Sequence, residues 1–367
     1  MKIDFVSFTE RHYANTLILT TPYVCFELFS DRKEGIEKIG YYLPTQTVRS
    51  GTRKFSIYET TVPNFDELRQ WCVSQSSISA KYNFYIDSYM VALDMPGIEG
   101  QIFMEENNTD YFIYRALDKI CVLTSDKGYD QNLLLRFVRE IYYREGIGQG
   151  ALFFHAGGVA VQDKGILIIG PSGTGKTTFL TKACESAGVD FITNDRISID
   201  RAGHLNSFPM QIRIGIGNFN NLKLYHMYLK QPNRFKRLNN TSSEITKAEF
   251  KFEVEPSLFC ELNGIGHVAS APLGYIVLPT LRLGMGSSFE IEVLSQKEAI
   301  RIMENEFTNL NDYVWPEPWL IRPAIEESYT EQMEGIYLKF LFLNVIFGFE
   351  ADFEKIIKNI LDHGKTD

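Results

Sequence analysis

The spacing of apolar and polar positions divides the chain into two parts. Residues 1 to about 127 contain short runs rich in β-branched and aromatic residues, such as RKFSIYETTV and DYFIYRALDKICVLTSD, with turn-forming residues between them. Runs of this kind predict β-strands. One helix is expected among them at PNFDELRQWCVSQ, where Pro63 and Asn64 offer a start. We therefore predict a strand-rich α+β module over residues 1–127.

The periodicity changes after this module. In YDQNLLLRFVREIYYREGIGQG, apolar residues recur at three- and four-residue intervals, and glycines follow. This pattern predicts an amphipathic helix with a glycine stop. We place a domain border in or just before this helix, which gives domains of residues 1–127 and 128–367. A chain of 367 residues is long enough for two domains.

Strand and helix patterns alternate from residue 151 onwards, which indicates an α/β domain. Strands are predicted at ALFFH, GVAVQ, GILIIG, VDFITND, LGYIVLPTL and SFEIEVLS, and RISIDRAGHLNS resembles a hairpin arm. Helices are predicted at KTTFLTKACESAG, at QKEAIRIMENEFTN with Ser295 as N-cap, and at EADFEKIIKNILDH. The apolar stretch IYLKFLFLNVIFGF is too short to span a bilayer and predicts a buried helix.

Composition and charge narrow the function classes. The formal net charge is −9 and the pI is near 5.4, so the chain repels nucleic-acid backbones and acidic membrane surfaces at long range. The five cysteines show neither zinc-ligand nor redox spacing, which favours reduced thiols. The first residues lack the pattern of a signal peptide, so we expect a cytoplasmic protein.

A glycine-rich segment between a predicted strand and a predicted helix carries the clearest chemistry. Gly170, Gly175, Lys176 and Thr177 match G-x-x-x-x-G-K-[ST], in which backbone N–H groups surround a β-phosphate. The lysine reaches the β- and γ-phosphates, the threonine hydroxyl can ligate Mg²⁺, and the helix N-terminus faces the anion. The expected nucleotide-binding residues are Gly170, Pro171, Ser172, Gly173, Thr174, Gly175, Lys176, Thr177 and Thr178.

The flanks of this segment bear on the nucleotide and on the reaction. No N-K-x-D guanine-reading motif is present, which favours ATP over GTP. His155 stands before the loop, and a predicted strand after it ends in Asn194-Asp195-Arg196. A carboxylate at the end of a neighbouring strand is where a further contact to Mg²⁺ or water is needed.

This arrangement resembles the C-terminal kinase domain of HPr kinase/phosphorylase. It is still more similar to the HPr-kinase-related proteins found beside peptide-tailoring genes, including lasso-peptide precursor kinases. The resemblance is specific over residues 151–200, looser towards the C-terminus, and only a likeness of layout in the N-terminal module. It implies an α/β fold shared with phosphoenolpyruvate carboxykinase, with a mixed sheet around the phosphate loop.

The resemblance also implies roles for the flanking residues. The family has two aspartates before the arginine, one for metal binding and one that takes the acceptor's proton. Asn194 occupies the first of these positions, so Asp195 would carry the base role, the metal role or both, and Thr177 and Asp195 are the expected metal ligands. His155 matches a histidine that lies near the phosphates and metal. Asp195 as a turn residue and His155 as a packed histidine remain alternatives.

A later segment, FPMQIRIGIG, resembles a stretch that the parent family uses in dephosphorylation. In that alignment Gln211 replaces a glutamate and Arg213 retains an arginine, which argues against phosphorylase activity. An ordinary strand with glycines at a bend explains the segment equally well.

The sequence therefore predicts an ATP- and Mg²⁺-dependent kinase with Asp195, His155 and Lys176 as catalytic residues. The acceptor class follows from the resemblance alone and would be a hydroxyl, such as that of serine, in a peptide or protein. The N-terminal module would bind substrate or partner. One alternative is a nucleotide-binding partner in a peptide-maturation complex with little transferase activity, and another is a small-metabolite kinase. The sequence specifies neither the acceptor nor the oligomeric state, and a homo-oligomer is compatible with it.

Overall fold

The computed structural model describes residues 5–44, 53–85, 88–108, 110–127, 130, 132–215, 223–234, 236–238, 251–308, 335–336 and 339–363. Most described residues up to Gln149 form one compact unit. The described residues from Gly150 onwards form a second unit, which also includes Tyr41–Pro44. The helix Leu133–Gly148 therefore belongs to the first unit. The border between the units lies after this helix, whereas the sequence predicted it between residues 127 and 128. No helix in these ranges is long and apolar enough to cross a bilayer.

Both units combine helices with mixed sheets, as predicted for an α/β protein. The helices are α1 Ser7–Glu10, α2 Lys33–Tyr42, α3 Phe65–Gln75, α4 Leu133–Gly148, α5 Lys176–Ala183, α6 Lys223–Lys230, α7 Pro256–Asn263, α8 Gln296–Glu306 and α9 Phe353–His363. A short 3₁₀ helix spans Pro232–Arg234. The predicted start of α8 is confirmed, because Ser295 and Glu298 form a capping box.

The first unit is built on an eight-stranded sheet. Its strands are β1 Asn15–Thr20, β2 Val24–Ser30, β3 Arg53–Thr61, β4 Ser77–Tyr85, β5 Ser88–Asp94, β6 Gln101–Glu105, β7 Tyr111–Ala116 and β8 Lys119–Thr124, in the spatial order β1-β2-β3-β8-β7-β6-β5-β4. β2, β3 and β8 run parallel to one another, and the other neighbours are antiparallel. The strand-rich character predicted for this part of the chain is therefore confirmed.

The second unit contains a ten-stranded mixed sheet. Its strands are β9 Leu152–Phe154, β10 Ala156–Val161, β11 Lys164–Ile169, β12 Val189–Thr193, β13 Ile197–Ile199, β14 His204–Asn206, β18 Ser270–Leu281, β19 Phe289–Val293, β20 Phe307–Thr308 and β21 Phe342–Phe347. The main path runs β12-β10-β11-β18-β14-β13-β9-β20, and β21 pairs with β18 and β19. β18 is parallel to both β11 and β21, so parallel pairs lie at the centre of an otherwise antiparallel sheet.

The central strand β11 is buried on both faces, which explains its continuous apolar run. Ile166 and Ile168 belong to a core cluster that includes α5, α7 and α9, whereas Leu167 and Ile169 belong to a cluster on the other face that includes α8. Adjacent strand residues point to opposite faces, so both sets must be apolar. This burial holds the end of β11, where the glycine-rich loop begins.

A third, three-stranded sheet completes the second unit. It consists of β15 Ile212–Gly215, β16 Lys236–Leu238 and β17 Lys251–Val254, in the order β15-β17-β16. The register sets Arg213 of β15 opposite Glu253 of β17.

One sequence-based prediction is wrong. The stretch IYLKFLFLNVIFGF was expected to form a buried helix, but Phe342–Phe347 is strand β21. Short apolar runs do not distinguish a buried helix from a buried strand by periodicity. Here the backbone of β21 pairs with β18 on one side and β19 on the other. Its side chains enter the core on both faces of the sheet, Phe342 on one face and Leu343 and Val345 on the other.

Candidate functional site

The glycine-rich loop joins the end of β11 to the start of α5. The loop conformation depends on Gly175, whose φ of +104° is disfavoured for residues with a side chain. A Cβ atom at this position would lie 2.9 Å from Cβ of Leu281 at the end of β18. The backbone nitrogen of Leu281 also donates to the carbonyl of Thr174 at 2.9 Å. The loop is therefore held against the neighbouring parallel strand, with little room for larger residues.

Lys176 is the first residue of α5, and its ammonium group lies over the loop. It donates to the carbonyl of Gly170 and, at 3.3 Å, to that of Pro171. It also lies 3.8 Å from Oε2 of Glu306. Burial lowers the pKa of Lys176, although the negative charges of Glu306 and Asp195 oppose this shift. The loop carbonyls and a carboxylate thus surround the cation.

His155 lies between β9 and β10 and contacts two carboxylates. Its Nε2 is 3.3 Å from Oδ1 of Asp195, and its Nδ1 is 3.0 Å from Oε2 of Glu306. The hydrogen bonds to Asp195 and Glu306 raise the pKa of His155 to about 9, against a smaller effect of burial. The imidazole is therefore positively charged at neutral pH, with both ring nitrogens acting as donors.

Asp195 follows β12 in a tight turn. Its φ is +69°, a left-handed conformation that aspartate tolerates better than most residues. The backbone nitrogen of Arg196 donates to the carbonyl of Asn194 at 2.8 Å, and Thr193 Oγ1 donates to the carbonyl of Arg196 at 3.0 Å. These bonds turn the chain so that the Asp195 carboxylate meets His155, while Asn194 is buried.

The charge state of Asp195 is set by opposing effects. Burial alone would raise its pKa, but the hydrogen bond from His155 and the charges of His155, Arg196 and Arg213 hold the pKa below its usual range. Asp195 is therefore an anion at neutral pH.

Glu306 completes the cluster and was not expected from the sequence. It is the last residue of α8, and its side chain is only 9% exposed. Its backbone carbonyl accepts from the backbone nitrogen of His155 at 2.8 Å. A carboxylate at a helix C-terminus is unfavourable to the helix dipole, so an acid there hints at another partner. That hint was the one sequence signal, since 151 residues separate Glu306 from His155.

Side chains from four separate segments therefore meet at the loop. Lys176 and His155 supply two positive charges, and Asp195 and Glu306 supply two negative charges. Thr177 is half-buried at the second position of α5, outside the contacts that join this cluster in the described part of the chain.

A separate ion pair joins β15 and β17 of the three-stranded sheet. Glu253 Oε1 accepts from Gln211 Nε2 at 2.9 Å and from Arg213 Nε at 3.1 Å. The antiparallel register explains this contact, because Arg213 and Glu253 are directly opposite each other. A carboxylate from β17 thus stands beside Gln211.

The described ranges contain no group of three or more histidine, cysteine or acidic side chains placed to hold a metal ion. Mg²⁺, however, commonly takes only one or two oxygen ligands from the protein and the rest from phosphates and water. The hydroxyl of Thr177 and the carboxylate of Asp195 are donors of that chemical type.

Comparisons with known proteins leave the site to be judged on its own chemistry. No protein-family model matches the chain, and no curated protein matches it.

Proposed function

We propose that this protein is an ATP-dependent kinase that transfers the γ-phosphate to a hydroxyl group of a peptide or protein, with the phosphate-loop fold of the HPr kinase type. The observation that carries the proposal is the convergence of Lys176, His155 and Asp195 beside a glycine-rich loop at the start of a helix. Glu306 contacts both Lys176 and His155, and His155 in turn contacts Asp195.

The loop and Lys176 would bind the phosphates. Backbone N–H groups at a helix N-terminus attract anions, and the ammonium of Lys176 adds a charge that can turn towards the β- and γ-phosphates. Thr177 and Asp195 would hold Mg²⁺, which neutralises phosphate charge when bound.

His155 and Asp195 would act on the transferring group. His155 is charged at neutral pH, so its role is to stabilise negative charge rather than to accept a proton. Asp195 is an anion and can accept the hydrogen bond, and then the proton, of an acceptor hydroxyl. In the reaction the bond from the γ-phosphorus to the β,γ-bridging oxygen breaks, and a bond to the acceptor oxygen forms. The proton passes to Asp195 and on to solvent, and ADP leaves.

A carboxylate with a low pKa is a weak base, but phosphoryl transfer depends mainly on positioning and charge neutralisation. The acceptor class rests on the resemblance to peptide-related kinases. The alternatives are a nucleotide-binding partner with little transferase activity, which the buried Asn194 in place of a family aspartate favours, and a small-metabolite kinase.

The test is transfer of label from [γ-³²P]ATP to serine-containing peptides, proteins and small hydroxyl metabolites. We expect wild type to label a peptide or protein, Asp195→Asn to bind ATP with transfer reduced at least 100-fold, and Lys176→Ala to lose ATP binding. Label on metabolites alone would favour the small-metabolite alternative. ATP binding without label on any acceptor, in wild type and Asp195→Asn alike, would favour the nucleotide-binding partner.

A further inference from the structure

Glu306 contacts two of the residues that the proposed function uses. Its Oε2 lies 3.0 Å from Nδ1 of His155 and 3.8 Å from Nζ of Lys176. The backbone carbonyl of Glu306 also accepts from the backbone nitrogen of His155 at 2.8 Å. Glu306 is therefore held to His155 at two points and to Lys176 at one longer contact.

The contact with Lys176 matters because an ammonium group has only three protons to donate. Its neighbours are the carbonyls of Gly170 and Pro171 and the carboxylate of Glu306. A β- or γ-phosphate bound by the loop would need the same ammonium group. The carboxylate and the phosphate would therefore compete for Lys176. Their negative charges would also repel each other, since water screens charges weakly around these largely buried side chains.

The contact with His155 has a different consequence. With Nδ1 donating to Glu306, the ring is oriented so that Nε2 faces Asp195. A second hydrogen bond that fixes a histidine ring is the usual way in which its working nitrogen is aimed. This contact does not depend on Lys176, so it can persist after Lys176 has turned to a phosphate.

We propose that Glu306 is both an internal counter-anion that competes with nucleotide phosphate for Lys176 and the positioning residue that aims His155 at Asp195. The inference rests on the proposed function, but the competition requires only nucleotide binding. The unequal contact lengths fit the two roles, since the longer contact is the one to be exchanged and the shorter one is the one to be kept.

Two substitutions separate the roles. Glu306→Gln removes the charge but keeps an oxygen that can accept from Nδ1 of His155. We expect it to bind a non-hydrolysable ATP analogue roughly three- to tenfold more tightly than wild type, as one repulsive charge near the phosphates is removed. Transfer should fall by a smaller factor than in Glu306→Ala, because an acceptor for Nδ1 of His155 is kept. Glu306→Ala also removes the hydrogen-bond acceptor, so we expect the same tighter binding with transfer at least tenfold slower.

The matched control is Glu304→Gln, an exposed acid in the same helix, which should change neither quantity. Binding is measured by calorimetry with Mg²⁺ and the ATP analogue, and urea unfolding shows that each variant is folded. If Glu306→Ala does not fold, Glu306→Gln and Glu306→Asp replace it, because Glu306→Asp keeps the charge but withdraws the carboxylate from His155.

The outcomes separate the inference from the function. Equal or weaker binding by Glu306→Gln would overturn the competition, and unchanged transfer by the variant that lacks the His155 contact would overturn the positioning role. If wild type binds ATP but labels no acceptor, the kinase proposal fails while tighter binding by Glu306→Gln still supports the competition. Absence of ATP binding by wild type would overturn both.

Discussion

Substitution of Gly175 by alanine tests the claim that the neighbouring strand confines the glycine-rich loop. Two costs are expected. A residue with a Cβ atom at a φ of +104° costs about 1–2 kcal/mol of backbone strain. The new Cβ would also lie 2.9 Å from Cβ of Leu281, closer than carbon atoms approach without a shift. Overpacking of this kind adds about 1–2 kcal/mol.

Leu281 cannot easily move away, because its backbone nitrogen donates to Thr174 of the same loop and it ends the central strand β18. We therefore expect Gly175→Ala to lower the free energy of unfolding by about 2–4 kcal/mol. Relief of the contact would require breaking that hydrogen bond.

Gly173→Ala is the matched control. Its φ is +86°, but nothing lies within 4 Å of an added Cβ atom. It should therefore cost only the backbone strain, about 1–2 kcal/mol. The assay is urea unfolding of both variants and wild type under the same conditions. Equal losses for the two variants would refute the reasoning, since the close approach of Leu281 would then contribute nothing.

Two further predictions concern the core and the pH dependence of stability. Phe179→Ala removes a fully buried ring and should lower the free energy of unfolding in urea by about 3–5 kcal/mol. The control Leu229→Ala, at an exposed position, should change it by less than about 0.5 kcal/mol. Similar losses in the two variants would contradict the burial of Phe179. Burial lowers the pKa of His267 to about 4, below its unfolded value near 6.5. The unfolded chain thus binds the extra proton between these values, so His267 should lower stability by about 3 kcal/mol as pH falls from 6.5 to 4. His267→Gln should reduce the dependence of unfolding stability on pH, measured by urea unfolding at several pH values. The exposed control His226→Gln should leave this dependence unchanged. An unchanged pH dependence in His267→Gln would contradict a buried neutral histidine.

Much of the second unit could be predicted because its local patterns agree with its packing. GILIIG became strand β11, the loop and α5 followed in the expected order, and RISIDRAGHLNS formed the antiparallel pair β13–β14. α5 ended at Ala183 rather than at Gly188. The helix predicted for IYLKFLFLNVIFGF was wrong because the secondary structure of this segment depends on the strands beside it.

The candidate site was predictable only in part, for a similar reason. The positions of Lys176, His155 and Asp195 relative to the motif marked them as candidates. Glu306 had no motif to mark it, and its contact with His155 arises because the chain after α8 forms β20, which pairs with β9 immediately before His155. A pairing across such a sequence distance leaves no local pattern.

The sequence by itself determined the glycine-rich loop, the strand before it and the helix after it, because backbone angles and apolar periodicity are properties of neighbouring residues. Tertiary structure alone decided that His155 would lie between Asp195 and Glu306, and that Glu306 would reach Lys176. Those contacts join separate strands and a distant helix end. Their geometry depends on strand order and register, which the core as a whole selects.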